Sequence, residues 1–144
     1  MSNFVSKNPG FEQVIRASFA KQRFMHALGA TLRRVEAGEV DIELNFDDAL
    51  TQQHGHLHAG AITSIADSAC GYAALSLMPA GSEVLSVEFK VNLLLPGRGK
   101  KFLAQGRVLK AGRTLTVCSG NVYGSDDNGT ALIATMLATM IARA

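Results

Sequence analysis

Little in this sequence is charged, and what charge there is nearly cancels: 18% of its 144 residues are Asp, Glu, Lys or Arg, and the formal net charge is +2. So small an excess excludes a broad polyanion-binding surface, and nucleic acid is not an expected partner. The one basic cluster, Arg98, Lys100 and Lys101 around Gly99, is enough for a local anion contact only. Cysteine is scarce too. Cys70 and Cys118 both lie inside apolar segments, which argues against a disulfide and for small core thiols. The three prolines read as boundaries: Pro9 as the first position of a helix, Pro79 behind one and Pro96 at the end of a strand. Linkers, internal repeats and low-complexity stretches are missing, so a single domain over 1–144 with one site is expected. An unbroken apolar run is missing from the N-terminal stretch as well, where Lys7, Glu12, Arg16, Lys21 and Arg23 are scattered. No secretory signal is therefore expected, and a cytoplasmic location is.

What is there is a globular composition, 47% hydrophobic, with clear periodicities. Asn8-Pro9 reads as an N-cap and first helical position, and Phe11, Val14, Ile15 and Phe19 then share one helical face, so a helical segment is expected within 1–26. Leu32 to Glu36 and the alternating Val40, Ile42, Leu44 and Phe46, with Gly38 between them, predict a hairpin with one buried face. Ala59 to Met78 predicts a long central helix of 59–78. Thr63, Ser64, Asp67 and Ser68 inside it argue against a membrane span. Leu85, Val87, Phe89, Val91 and Leu93 alternate without a break with Ser86, Glu88, Lys90 and Asn92, the pattern of a strand. Further strands are expected at 101–109, 114–123 and 130–141. Leu132 to Ile141 is apolar enough to compete as a helix. The sum is an α+β arrangement, an antiparallel sheet wrapped around one nearly apolar helix.

The segment from Gln52 to Gly60 runs polar groups straight into the N-terminus of the central helix. The first N–H groups there, at Ala59 and Gly60, lack intrahelical acceptors and sit at the positive end of the helix dipole. A carbonyl placed against them is polarised, and the oxyanion of a tetrahedral intermediate gains more than the ground state does, which suits acyl transfer. The competing account is that small residues there merely let the helix pack on the sheet. Asp67 is the one carboxylate in the helix. Burying it is costly unless it is used or is satisfied by hydroxyls such as those of Thr63 or Ser64. It is the leading catalytic candidate, as a base toward water or as a nucleophile. Eight residues separate Ala59 from Asp67, about 12 Å along a helix. One carbonyl cannot reach both, so the two groups are expected to come from different chains of a homo-oligomer.

The pattern Gln52, Ala59-Gly60 and Asp67, followed by Ser86-Val87-Glu88-Phe89 on the next strand, resembles the hotdog-fold acyl-CoA thioesterases of the phenylacetate-degradation (PaaI-like) group. The resemblance covers most of the chain. It implies a hotdog fold, hydrolysis of acyl-CoA with no separate cofactor or metal, and a homodimer or homotetramer with active sites at the dimer interface. It implies that Gln52 positions the thioester or the water, that an N–H at the helix start polarises the carbonyl, that Asp67 of the partner drives the attack, and that Ser86 helps to place the water. His58-Ala59-Gly60 stands where the family usually has His-Gly-Gly, and Gln52 stands where Asn is common.

Lys90, Arg98, Lys100, Lys101, Arg107 and Arg113 are candidates to meet the CoA phosphates, with His58 beside the thioester. His54, His56 and His58 at alternate positions raise a zinc reading, disfavoured because no fourth ligand is evident. A non-catalytic acyl-CoA-binding or sensing domain and an enoyl-CoA hydratase using His58 with Asp67 are the alternatives to hydrolysis.

Overall fold

The computed structural model describes residues 2–144. Two short helices open it, α1 (Phe11–Lys21) and α2 (Arg23–Leu28). The hairpin β1 (Thr31–Glu36) and β2 (Glu39–Asn45) follows, then the central α3 (Ala59–Leu75). β3 (Glu83–Leu93), β4 (Lys101–Ala111), β5 (Leu115–Asp126) and β6 (Gly129–Arg143) complete the chain. The strands form one antiparallel sheet in the order β1-β2-β4-β5-β6-β3, so β1 and β3 are its edges.

Three local expectations need correction. The opening helix begins at Phe11 with Gly10 as N-cap; Asn8 instead shapes the preceding turn, its side chain accepting the Gly10 N–H at 3.0 Å. Ile15 and Phe19 are buried as expected, but Val14 is 44% exposed. The central helix ends at Leu75, three residues short of Met78, and its end continues as a turn. The apolar Leu132 to Ile141 run is strand throughout. It pairs with β5 on one side and β3 on the other, and ladder bonds on both sides outweigh a helical preference of Ala, Leu and Met.

α3 sits on the sheet because the middle of the sheet makes room for it. Gly106 on β4 and Gly120 on β5 are paired across the ladder beneath the helix. A Cβ at Gly106 would press on the Ala69 carbonyl and lie 2.7 Å from the Cys70 nitrogen; one at Gly120 would lie 2.8 Å from Cys70 Sγ. Val40, Ile42, Leu44, Phe102, Ala134, Met136, Ala138 and Met140 close the layer between helix and sheet. α3 is the longest helix described, and among the described residues no helix is long and apolar enough to cross a membrane.

The most consequential departure is in β3. Its alternation is interrupted by a bulge between Ser86 and Glu88 where it pairs with β6. Phe89, Val91 and Leu93 stand opposite Ala138, Met136 and Ala134 and share their helix-facing side. Beyond the bulge Ser86 stands opposite the buried Met140, so it too faces α3, while Leu85 is turned to the outer face with Ile141. A bulge puts two residues opposite one and reverses the facing of everything past it.

Candidate active site

The bulge delivers Ser86 to Asp67. The Ser86 hydroxyl donates to Asp67 Oδ1 at 2.7 Å, and Asp67 is half-buried on α3. The hydroxyls suggested by helix spacing are not its partner: Ser64 Oγ donates to the Gly60 carbonyl at 2.7 Å instead. Asp67 and Ser86 line a cavity of about 340 Å³ together with Ser18, Lys21, Gln22, Ser68, Gly71, Tyr72 and Val84.

A second cavity, of about 320 Å³, lies at the N-terminus of α3 and is lined by Gln52, His56, Ala59, Ile62, Leu93, Leu95 and Pro96 among others. His58 is the N-cap of α3, in an extended conformation, and its Nδ1 accepts the Gly60 N–H at 2.7 Å. Ala61 and Ile62 donate to the His58 carbonyl at 3.0 and 3.2 Å. The Gly60 N–H is therefore already satisfied within the chain, whereas that of Ala59 meets no acceptor among the described residues. The residue with a Cβ is the one with the spare donor.

Gln52 is oriented by its own loop. Its Oε1 accepts the N–H groups of His54 and His56 at 2.7 and 3.0 Å, which fixes the amide so that Nε2 is its remaining, donating end. Gln52 and Ala59 thus bring two hydrogen-bond donors to one cavity. Nδ1 of His58 is engaged by its cap, and among the described residues no three His, Cys, Asp or Glu side chains gather to hold a metal ion.

The residues singled out in the sequence are thus divided in two. Gln52 and Ala59 are together, Asp67 and Ser86 are together, and the two cavities share no lining residue. Of the basic candidates, Arg98 lines a cavity of about 290 Å³ that adjoins the second through Leu95 and Pro96. Lys100 is paired with Asp127 at 2.8 Å, and Arg107 with Asp41 at 2.6 Å. Lys90 stands opposite Leu137 and Lys101 opposite Ser125, in ladder positions turned away from α3. Arg113 lies against the N-terminal segment beside Phe4, Lys7 and Pro79. Sequence reading passed over Ser18, Gln22, Gly71 and Tyr72, because none belongs to a local motif.

Residues 54–131, more than half of the chain and including the start of α3, Asp67 and Ser86, match the model of the thioesterase superfamily. The chain is 49% identical to a thioesterase family protein from Silicibacter pomeroyi of known crystal structure, over 92% of this chain and 98% of that one, with a TM-score of 0.91. It is 28% identical to human acyl-coenzyme A thioesterase 13 across 79% of this chain and 82% of the relative. The Escherichia coli PaaI protein of the phenylacetic acid degradation operon shares its fold, with a TM-score of 0.85 at 18% identity over 96% of this chain and 97% of that one. An antiparallel six-stranded sheet wrapped on one central helix, matched to the family model over residues 54–131, makes this chain a hotdog-fold member of the thioesterase superfamily.

Proposed function

We propose that the protein hydrolyses acyl-CoA thioesters at two equivalent sites, each shared between two copies of the chain. The observation that carries the reading is the separation of its two half-sites along β3. Ser86, near the start of the strand, belongs to the Asp67 cavity; Leu93, at its end, belongs to the Ala59 cavity. Seven residues of strand hold them about 23 Å apart. β3 is an edge strand eleven residues long, with Leu85, Val87, Phe89 and Leu93 all 42–53% exposed, the kind of edge that recruits another strand.

Pairing β3 antiparallel with the same strand of a second copy, about a two-fold axis between Phe89 and Lys90, sets Ser86 of one copy opposite Leu93 of the other. Neighbouring strands lie about 4.8 Å apart, so the Asp67 cavity of each copy meets the Ala59 cavity of its partner. Symmetry makes two such sites.

At each site the thioester carbonyl accepts from the Ala59 N–H and Gln52 Nε2 of one copy, donors that bind the oxyanion more strongly than the ground-state oxygen. Asp67 of the other copy, oriented by Ser86, acts in one of two ways. It takes a proton from a water that attacks the carbonyl carbon, or it attacks that carbon itself and leaves a mixed anhydride for water to cleave. Either way the C–S bond breaks, the sulfur leaves as CoA thiol after protonation, and the acid is released. Arg98, in the adjoining cavity, is placed to meet the phosphates of CoA. The superfamily match supports hydrolysis over mere binding of the thioester.

The test is CoA release from a panel of acyl-CoAs by wild type and Asp67→Ala, with size exclusion on both. Wild-type turnover and a loss of about a hundredfold, about 2.7 kcal/mol of transition-state stabilisation, are expected. Acyl-CoA binding without turnover in the wild type would favour a non-catalytic binding domain instead.

A further inference from the structure

The loop that carries Gln52 also carries three histidines, and the fold gives each a different setting. His54 is exposed in the turn of the loop, and His58, exposed too, has its Nδ1 engaged by the cap of α3. His56 is half-buried and lines the cavity at the start of α3 together with Gln52 and Ala59. Among the residues that line that cavity it is the one ionisable side chain.

The position of His56 is fixed through its backbone. Its carbonyl accepts the Gln52 N–H at 2.9 Å, and its N–H donates to Gln52 Oε1 at 3.0 Å. Gly55, at φ +83°, turns the chain just before it. Leu57, 2% exposed, anchors the chain just after it by bridging to Thr51 and Gly97. All these bonds use main-chain atoms of residue 56, so the loop closes equally well around a side chain of another type. The ring itself is unspent: among the described residues, Nδ1 of His58 is the one imidazole nitrogen of this loop with a hydrogen-bond partner. Apart from Gln52 and the helix N-terminus, the imidazole faces apolar neighbours such as Ile62, Leu93 and Leu95. An imidazole held at its root and free at its tip is suited to moving a proton.

Hydrolysis of a thioester leaves one task without a residue. The carbonyl oxygen has two lone pairs, and the Ala59 N–H and Gln52 Nε2 occupy both, so a third donor gains little there. Asp67 of the other copy is committed to the attack. The sulfur is bonded to the same carbon as that oxygen, so it enters the cavity that His56 lines, and it needs a proton to leave as a thiol. We propose that His56 is the general acid of the reaction and protonates the departing sulfur. The proposal rests on the thioesterase reading and adds a catalytic residue to it. When the C–S bond breaks, its electron pair goes to sulfur, and sulfur takes the proton of the imidazolium. The neutral ring then regains the proton that water gives up in the hydrolysis. One water is consumed, and one acid and one thiol are formed, whether Asp67 acts as base or as nucleophile.

The experiment varies the leaving group. For one acyl group, kcat/KM is measured on its CoA thioester and on its 4-nitrothiophenol thioester, whose aryl thiolate departs without a proton. Wild type, His56→Gln and His56→Asn are compared, with melting temperature, size exclusion and Kd for the uncleavable thioether analogue of the acyl-CoA on each. Both substitutions keep a polar side chain and have no proton to transfer. Each is expected to lose about a hundredfold or more on the CoA thioester and less than about threefold on the aryl thioester, with Kd little changed. Equal losses on the two leaving groups make the ring a structural or binding element and overturn the proposal. Turnover of the CoA thioester at the wild-type rate in either variant overturns it as well. Wild type that cleaves neither ester would sink hydrolysis altogether, whereas wild-type turnover with losses independent of the leaving group sinks the general acid alone.

Discussion

If each site takes Asp67 from one copy and Gln52 with Ala59 from the other, two dead variants should restore activity to each other. Asp67→Ala removes the attacking carboxylate. Gln52→Glu keeps an oxygen to accept the His54 and His56 N–H groups, so the loop that presents the site is retained, but it replaces the Nε2 donor with an anion beside the forming oxyanion. Each variant alone is expected to fall to about one hundredth of wild type or below. In a mixed dimer one site collects both substitutions, and the other collects neither. Random assembly of equal amounts makes half of the dimers mixed, each with one intact site of two, so co-expressed chains should recover about one quarter of wild-type activity. The assay is CoA release at fixed total protein, with the two chains carrying different tags so that mixed dimers can be isolated and should show about one half. A site built within one chain gives no rescue at all, because every chain still lacks one group. Activity of the isolated mixed dimer equal to that of the single variants would refute the two-fold arrangement about β3.

Ser86→Ala should lower kcat by about tenfold or more without preventing assembly, since it removes a hydrogen bond to a charged carboxylate; an unchanged kcat would remove Ser86 from the machinery. Gly106→Ala should cost about 3 kcal/mol, read by denaturant unfolding, because the new methyl group presses on the α3 backbone; near-neutral stability would show that helix and sheet are less tightly seated than described. The thiols should be silent in the native protein. Burial pushes Cys118 up to about 12 and Cys70 higher still, so thiolate is scarce at pH 8, and a thiol reagent should count two groups per chain only after denaturation. Rapid labelling of the native chain would contradict that burial.

Much of the architecture is legible in local pattern, because period-two alternation, turn residues and an apolar run bounded by Pro79 depend on neighbours within a few residues. The hairpin of β1 and β2, the start of α3, and the polar run that leads into that helix and its lone Asp67 can all be read that way. The helical spacing from Ala59 to Asp67 is by itself enough to keep those two groups apart, since a rise of about 1.5 Å per residue is a property of every α-helix. What only the tertiary structure decided are the consequences of pairing at a distance. The bulge that turns Ser86 toward Asp67 exists in the register of β3 against β6, and an unbroken alternation in the sequence reads straight through it. The capping bond of His58 spends Gly60 and leaves Ala59 free; the loop bonds of Gln52 choose which end of its amide is spare. Gln22 and Tyr72, fifty residues apart, meet only because α1 packs against α3. Backbone periodicity assigns a residue to a helix or strand, but which hydrogen bonds remain unspent, and therefore what the site can bind, is settled by partners that lie far away in the chain.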